Sequence, residues 1–87
     1  MAKYEMNLLN SPSGYGWYCK INRLEPRPKR INEGSGELFH RIKNFDEAMT
    51  AFKNAIIGFG GSKEDFDNII KHSNNSYHIK FNSEIIV

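Results

Sequence analysis

The chain carries one cysteine, three prolines and no apolar run approaching the length of a secretory core or a membrane span. A lone Cys19 excludes an internal disulfide, so stability has to come from packing, and such cysteine usage suits a reducing cytoplasm. The absence of a long apolar run predicts neither export through a signal segment nor insertion into a bilayer. Histidine is sparse as well: His40, His72 and His78 stand with Cys19 at none of the close spacings that metal sites use, and neither metal nor cofactor is expected. A nucleotide loop in the order G-K-[ST] is missing. In GFGGSKEDF, residues 58–66, glycines do lead toward a helix, but Glu64 and Asp65 would repel a phosphate there, so the glycines read as a turn. Cys19 alternates with Trp17 and Ile21, the pattern of a small core residue rather than of a thiolate nucleophile. With no catalytic set in view, the sequence predicts a protein that is not an enzyme.

What is present suffices for one core. Eighty-seven residues, 39% hydrophobic and 13% aromatic, bury about 60% of the unfolded surface and support a single domain spanning 1–87. In KYEMNLL, residues 3–9, Tyr4, Met6 and Leu8 alternate with Lys3, Glu5 and Asn7, the period of a strand with one wet face. After the turn residues NSPSGYG, WYCKINRL resumes the alternation, setting Trp17, Cys19 and Ile21 against Tyr18, Lys20 and Asn22, and predicts a hairpin with the first strand. Pro26 and Pro28 lack the donor that a central strand needs, so the next segment reads as a stiff edge or loop. ELFHRI, residues 37–42, reads as a short third strand.

Residues 44–61 hold the strongest local pattern: Phe45, Ala48, Met49, Phe52, Ala55 and Ile56 fall on one helical face, with Asn44 as cap, Glu47 three residues on, and Gly58 to close the last turn. Residues 62–72 read as a shorter helix capped by Ser62, with Phe66, Ile69 and Ile70 turned inward. In residues 76–87, Tyr77, Ile79 and Phe81 alternate with His78, Lys80 and Asn82, giving a last strand, or a small hairpin if Asn82 and Ser83 turn. The expected fold class is α+β: a small antiparallel β-sheet with one main α-helix and a second short helix packed on one face. The other face, bearing Tyr18, Lys20, Asn22, His78 and Lys80, would stay exposed.

The formal charge of +2 is unevenly spread, with eight cations and four anions in residues 1–43 against four and six in residues 44–87. Its densest part is RLEPRPKR, residues 23–30. Arg23, Arg27, Lys29 and Arg30, with Lys20 nearby and Glu25 the one anion, give residues 20–30 a net charge of +4. Together with Tyr15, Trp17 and Tyr18 just upstream, these cations suit a single-stranded nucleic-acid groove, although no aromatic RNP signature accompanies them. A solvated loop whose prolines protect a sheet edge accounts for the same residues. So does docking into an acidic groove of another protein, since a loop stiffened by two prolines loses less entropy on binding. The expected binding residues are Lys20, Arg23, Arg27, Lys29, Arg30, Tyr15 and Tyr18, with a protein partner as the primary expectation and nucleic acid as the alternative.

The opening hairpin of KYEMNLL and WYCKINRL, the compact helix NFDEAMTAFKNAI, the second short helix and the lack of a catalytic set all fall within 87 residues. In this organisation the chain resembles small phage-encoded inhibitors of the anti-CRISPR type. The resemblance implies a non-enzymatic protein that blocks a nucleic-acid-handling complex by occupying a site meant for DNA or for a subunit. Those inhibitors share no motif, so the resemblance gives no residue a role, and a basic loop departs from an acidic DNA mimic. FDEAMTAF, residues 45–52, is also similar to the helix of WGR nucleic-acid-binding domains, but Gly16-Trp17-Tyr18 stands here in place of Trp-Gly-Arg.

Overall fold

A computed structural model describes residues 1–12, 14, 16–31 and 42–87. Its strands are β1 (Ala2–Asn10), β2 (Trp17–Glu25), β3 (Lys29–Arg30), β4 (Ile70–Ser73) and β5 (Ser76–Ser83), and its one α-helix is α1 (Phe45–Gly58), followed by a 3₁₀ helix (Lys63–Asn68). The strands form one antiparallel sheet in the order β3-β2-β1-β5-β4. β1 lies at its centre, and α1 packs against β1 and β2 on one face. The α+β architecture expected from the sequence is therefore the one observed.

Period-2 alternation decides which side chains meet the helix. Tyr4, Met6 and Leu8 of β1, Trp17, Cys19 and Ile21 of β2, and Tyr77, Ile79 and Phe81 of β5 are all buried, together with Ala48, Phe52 and Ile56 of α1. Aromatic rings hold both ends of the helix. At its start Phe45 lies 5.4 Å from both Trp17 and Tyr77, and past its end Phe59 lies 5.5 Å from Tyr4, which also meets Phe81 at 5.7 Å.

The helix begins as expected, with the Asn44 side chain accepting from the Glu47 N–H at 3.1 Å. Its end differs. Gly58 is the last helical residue, and the left-handed position is Gly60, at φ +91°. The Gly60 N–H donates to the Ile57 carbonyl and the Gly61 N–H to the Ile56 carbonyl, which together satisfy carbonyls left open by the last turn. A Cβ on Gly60 would collide with Ser83 Oγ, so glycine here serves close packing as well as conformation.

The segment read as a second helix over 62–72 splits in two. After the 3₁₀ turns, Ile70 pairs with His78 and Lys71 with Tyr77, so Ile70 is 53% exposed instead of buried. Adjacent β-branched Ile69 and Ile70 favour extended backbone, and Asn74 and Asn75 form the two-residue turn between β4 and β5. Residues 76–83 make a single strand, without a hairpin at Asn82 and Ser83. Of the strand expected over 37–42, only Ile42 is among the described residues, where its carbonyl accepts from the Trp17 N–H at 2.7 Å; the rest lies outside them.

Phe52 is fully buried at the centre of the helix–sheet interface. Phe52→Ala is expected to cost about 3–5 kcal/mol, read as a lower urea midpoint; an unchanged midpoint would contradict this packing.

Candidate binding surface

Because α1 covers one face of the sheet, the outward positions of the central strands form an open face. The register arranges them in rows. One row runs Arg30, Asn22, Glu5, Lys80; the next runs Lys20, Asn7, His78, Ile70; a third runs Tyr18, Leu9, Ser76. Below them Lys3 stands between Glu25 and Asn82. Strands lie about 4.8 Å apart, so Arg30 and Lys80, three strands from one another, bracket the face at about 14 Å.

The centre of this face is polar and internally bonded. His78 Nε2 lies 3.0 Å from Glu5 Oε2, and the His72 ring stands 5.8 Å from that of His78. Glu5 is thus engaged, while Lys20, Lys80 and Arg30 point into solvent around it. On the β4 side an open groove of about 510 Å³ is lined by Asp67, Asn68, Ile69, Ile70, His78 and Lys80. The five outward residues expected from the sequence, Tyr18, Lys20, Asn22, His78 and Lys80, do share this face. Lys3, Glu5 and Asn7 join them, as the wet parity of β1 already indicated.

The basic segment does not stay together. Arg30 pairs with Asn22 and so joins the open face, whereas Lys29 pairs with Arg23 and takes the opposite side. Arg27 lies in the exposed turn between β2 and β3. Arg23 is committed to the backbone: its Nε donates to the Arg27 carbonyl at 2.9 Å and its Nη1 to the Val87 carbonyl at 2.7 Å. Charge density along the chain is therefore divided by the alternation of the strand. Lys20 and Tyr18 fall on the open face, and Tyr15 lies outside the described residues. Sequence reasoning gave Arg23 a contact role because it had no view of residues 84–87, sixty positions away and folded against it.

Glu64 and Asp65 occupy the first turn of the 3₁₀ helix, where the Asp65 carboxylate accepts from the Ser62 N–H at 2.8 Å. The glycine-rich stretch before it closes α1, as described above. Among the described residues no three of His, Cys, Asp and Glu gather closely enough to hold a metal ion, and no helix is long and apolar enough to cross a membrane. Comparison of the chain with family models, with curated proteins and with solved structures gives no match in any of the three. The open face therefore has to be read from its own geometry.

Cys19 sits beneath the sheet, fully buried, and desolvation pushes its thiol up from 9.0 to about 12. The folded state keeps this proton where the unfolded thiol loses it, so the stabilisation is complete below the unfolded value and is lost as pH rises through the folded one. Stability should accordingly fall between about pH 9 and 12 more steeply in the wild type than in Cys19→Ala, and a thiol reagent should label the native protein only at its opening rate. Rapid labelling of the folded protein would contradict the buried, protonated thiol.

Proposed function

We propose that the protein is a non-enzymatic binding domain that lays the open face of its sheet against an acidic surface of another protein, acting in the cytoplasm as an inhibitor or modulator of a nucleic-acid-handling complex. The observation that carries this reading is the one-sided helix layer: it leaves Lys3, Lys20, Lys80 and Arg30 on a single face where, among the described residues, the paired strands place only Glu5 and Glu25 as carboxylates, with Asp67 bordering the groove beside Lys80, and Glu5 is already paired with His78. Such a face complements an acidic partner and steers encounter with it. The flanking Tyr18 and Leu9 supply the less polar contact that interface centres favour. The inhibitory role itself rests on the organisational resemblance to small phage-encoded inhibitors.

Direct binding of nucleic acid would use the same cations, but the distribution of rings supports it less well. Strand-binding grooves stack successive bases on several aromatic side chains. Tyr18 is the one Phe, Tyr or Trp ring on the open face among the described residues, beside the smaller imidazoles of His72 and His78, while Trp17, Tyr4, Tyr77 and Phe81 face the helix layer.

The combined variant Lys20→Glu, Arg30→Glu, Lys80→Glu is expected to weaken binding to a partner captured from host extract by about tenfold or more, whereas Lys29→Glu, on the other side, should change it little. Parallel titrations use labelled single- and double-stranded DNA and RNA at low and physiological salt. Tight, steeply salt-dependent oligonucleotide binding that the triple variant abolishes would replace the protein partner with a phosphate backbone. Retention of the captured partner by the triple variant would remove the open face from the interaction.

A further inference from the structure

The residues 84–87 leave the sheet after β5 and are held by hydrogen bonds more than by burial. Tyr4 Oη donates to the Ile85 carbonyl at 2.7 Å and accepts from the Val87 N–H at 3.0 Å, and the Ile85 N–H donates to Ser83 Oγ at 2.9 Å. Ile85, Ile86 and Val87 remain 45%, 54% and 46% exposed. The anchoring Tyr4 is itself fixed, fully buried between Phe59 and Phe81. At the far end of this strap the Val87 carbonyl receives Arg23 Nη1, while Nε of the same guanidinium closes the basic turn on the Arg27 carbonyl.

We propose that Arg23 is a positioning residue, a clamp through which the strap of residues 84–87 sets the basic turn and thereby the place of Arg30 on the open face. β3 has two residues, and Pro26 and Pro28 bring no N–H to the turn, so the ladder alone holds this edge weakly. Guanidinium is planar and its donors keep fixed relative directions, so seating Nη1 on Val87 orients Nε toward Arg27. A lysine ammonium carries the same charge without that fork. The strap contributes no residue to the open face, yet it decides how firmly the Arg30 side of that face is held. The consequence for binding rests on the function proposed above; the clamp does not.

Hydrogen exchange separates the two. The Ile31 N–H, bonded to the Ile21 carbonyl at 2.9 Å, reports on the edge beyond the turn, and the Met6 amide in β1 reports on the sheet as a whole. Arg23→Lys, Arg23→Gln and a chain ending at Glu84 should each speed exchange at Ile31 roughly tenfold while Met6 keeps its rate. Tyr4→Phe, which leaves Arg23 intact and frees the strap, should act in the same direction. Unchanged exchange at Ile31 in the Arg23 variants, or wild-type exchange in Arg23→Lys, overturns the clamp; these full-length variants decide the matter if the shortened chain does not fold. Anisotropy with fluorescein-labelled decaglutamate forms the second arm. Faster Ile31 exchange with weaker decaglutamate binding supports the clamp and its coupling to the face, whereas faster exchange with unaltered or absent binding leaves the clamp standing and overturns the coupling.

Discussion

The structure depends on the burial of one side of β1. Tyr4, Met6 and Leu8 are fully enclosed because β1 has a strand on each side and the helix layer above. Its hairpin partner β2 and the returning strand β5, which pairs with its other edge, add their own inward residues to the same core. Since side chains alternate with a period of two, committing these three residues inward commits Lys3, Glu5, Asn7 and Leu9 outward. The open face is thus the geometric complement of the core. A one-residue slip of β1 would exchange the two and bury a lysine and a glutamate under α1.

The helix is positioned with equal economy. Two aromatic groups, Phe45 with Trp17 and Tyr77 at one end and Phe59 with Tyr4 and Phe81 at the other, fix its ends over strands that are distant in sequence. Ring pairs of this kind add directional preference to area burial. Between them Ala48, Phe52 and Ile56 need only fill space. Tyr4 belongs to this arrangement and also gives its hydroxyl to the strap, so the apolar packing of the helix end and the polar anchoring of residues 84–87 meet in one side chain.

Electrostatics follow the same geometry. Residues 20–30 hold much of the positive charge of the chain, but a strand distributes neighbours to opposite faces, and the turn and β3 distribute them again. Lys20 and Arg30 meet on the open face from different strands, Lys29 turns away, and Arg23 is spent on two carbonyls. Lys80, from the other half of the sequence, completes the surface because β5 pairs with β1. What matters for a partner is the charge carried by a face, which the linear density did not measure.

Local chemistry was enough to specify much of this molecule from the sequence: the alternation of β1, β2 and β5, the face of α1, its Asn44 cap and the inward place of Cys19 depend on residues within a few positions of one another. The same alternation foretold the outward set that became the candidate surface. Other features depend on partners far along the chain. Ile69 and Ile70 lead a stretch that fits a helix or a strand, and pairing with β5 selected the strand from Ile70 onward. Gly58 and Gly60 are both plausible helix stops, and the close approach of Ser83 selected Gly60. Arg23 reads as one cation among several until the fold brings Val87 to it. Propensity and periodicity act over a few residues, whereas strand order, the strap and the sharing of charge among faces are long-range pairings that exist only once the chain has closed on itself.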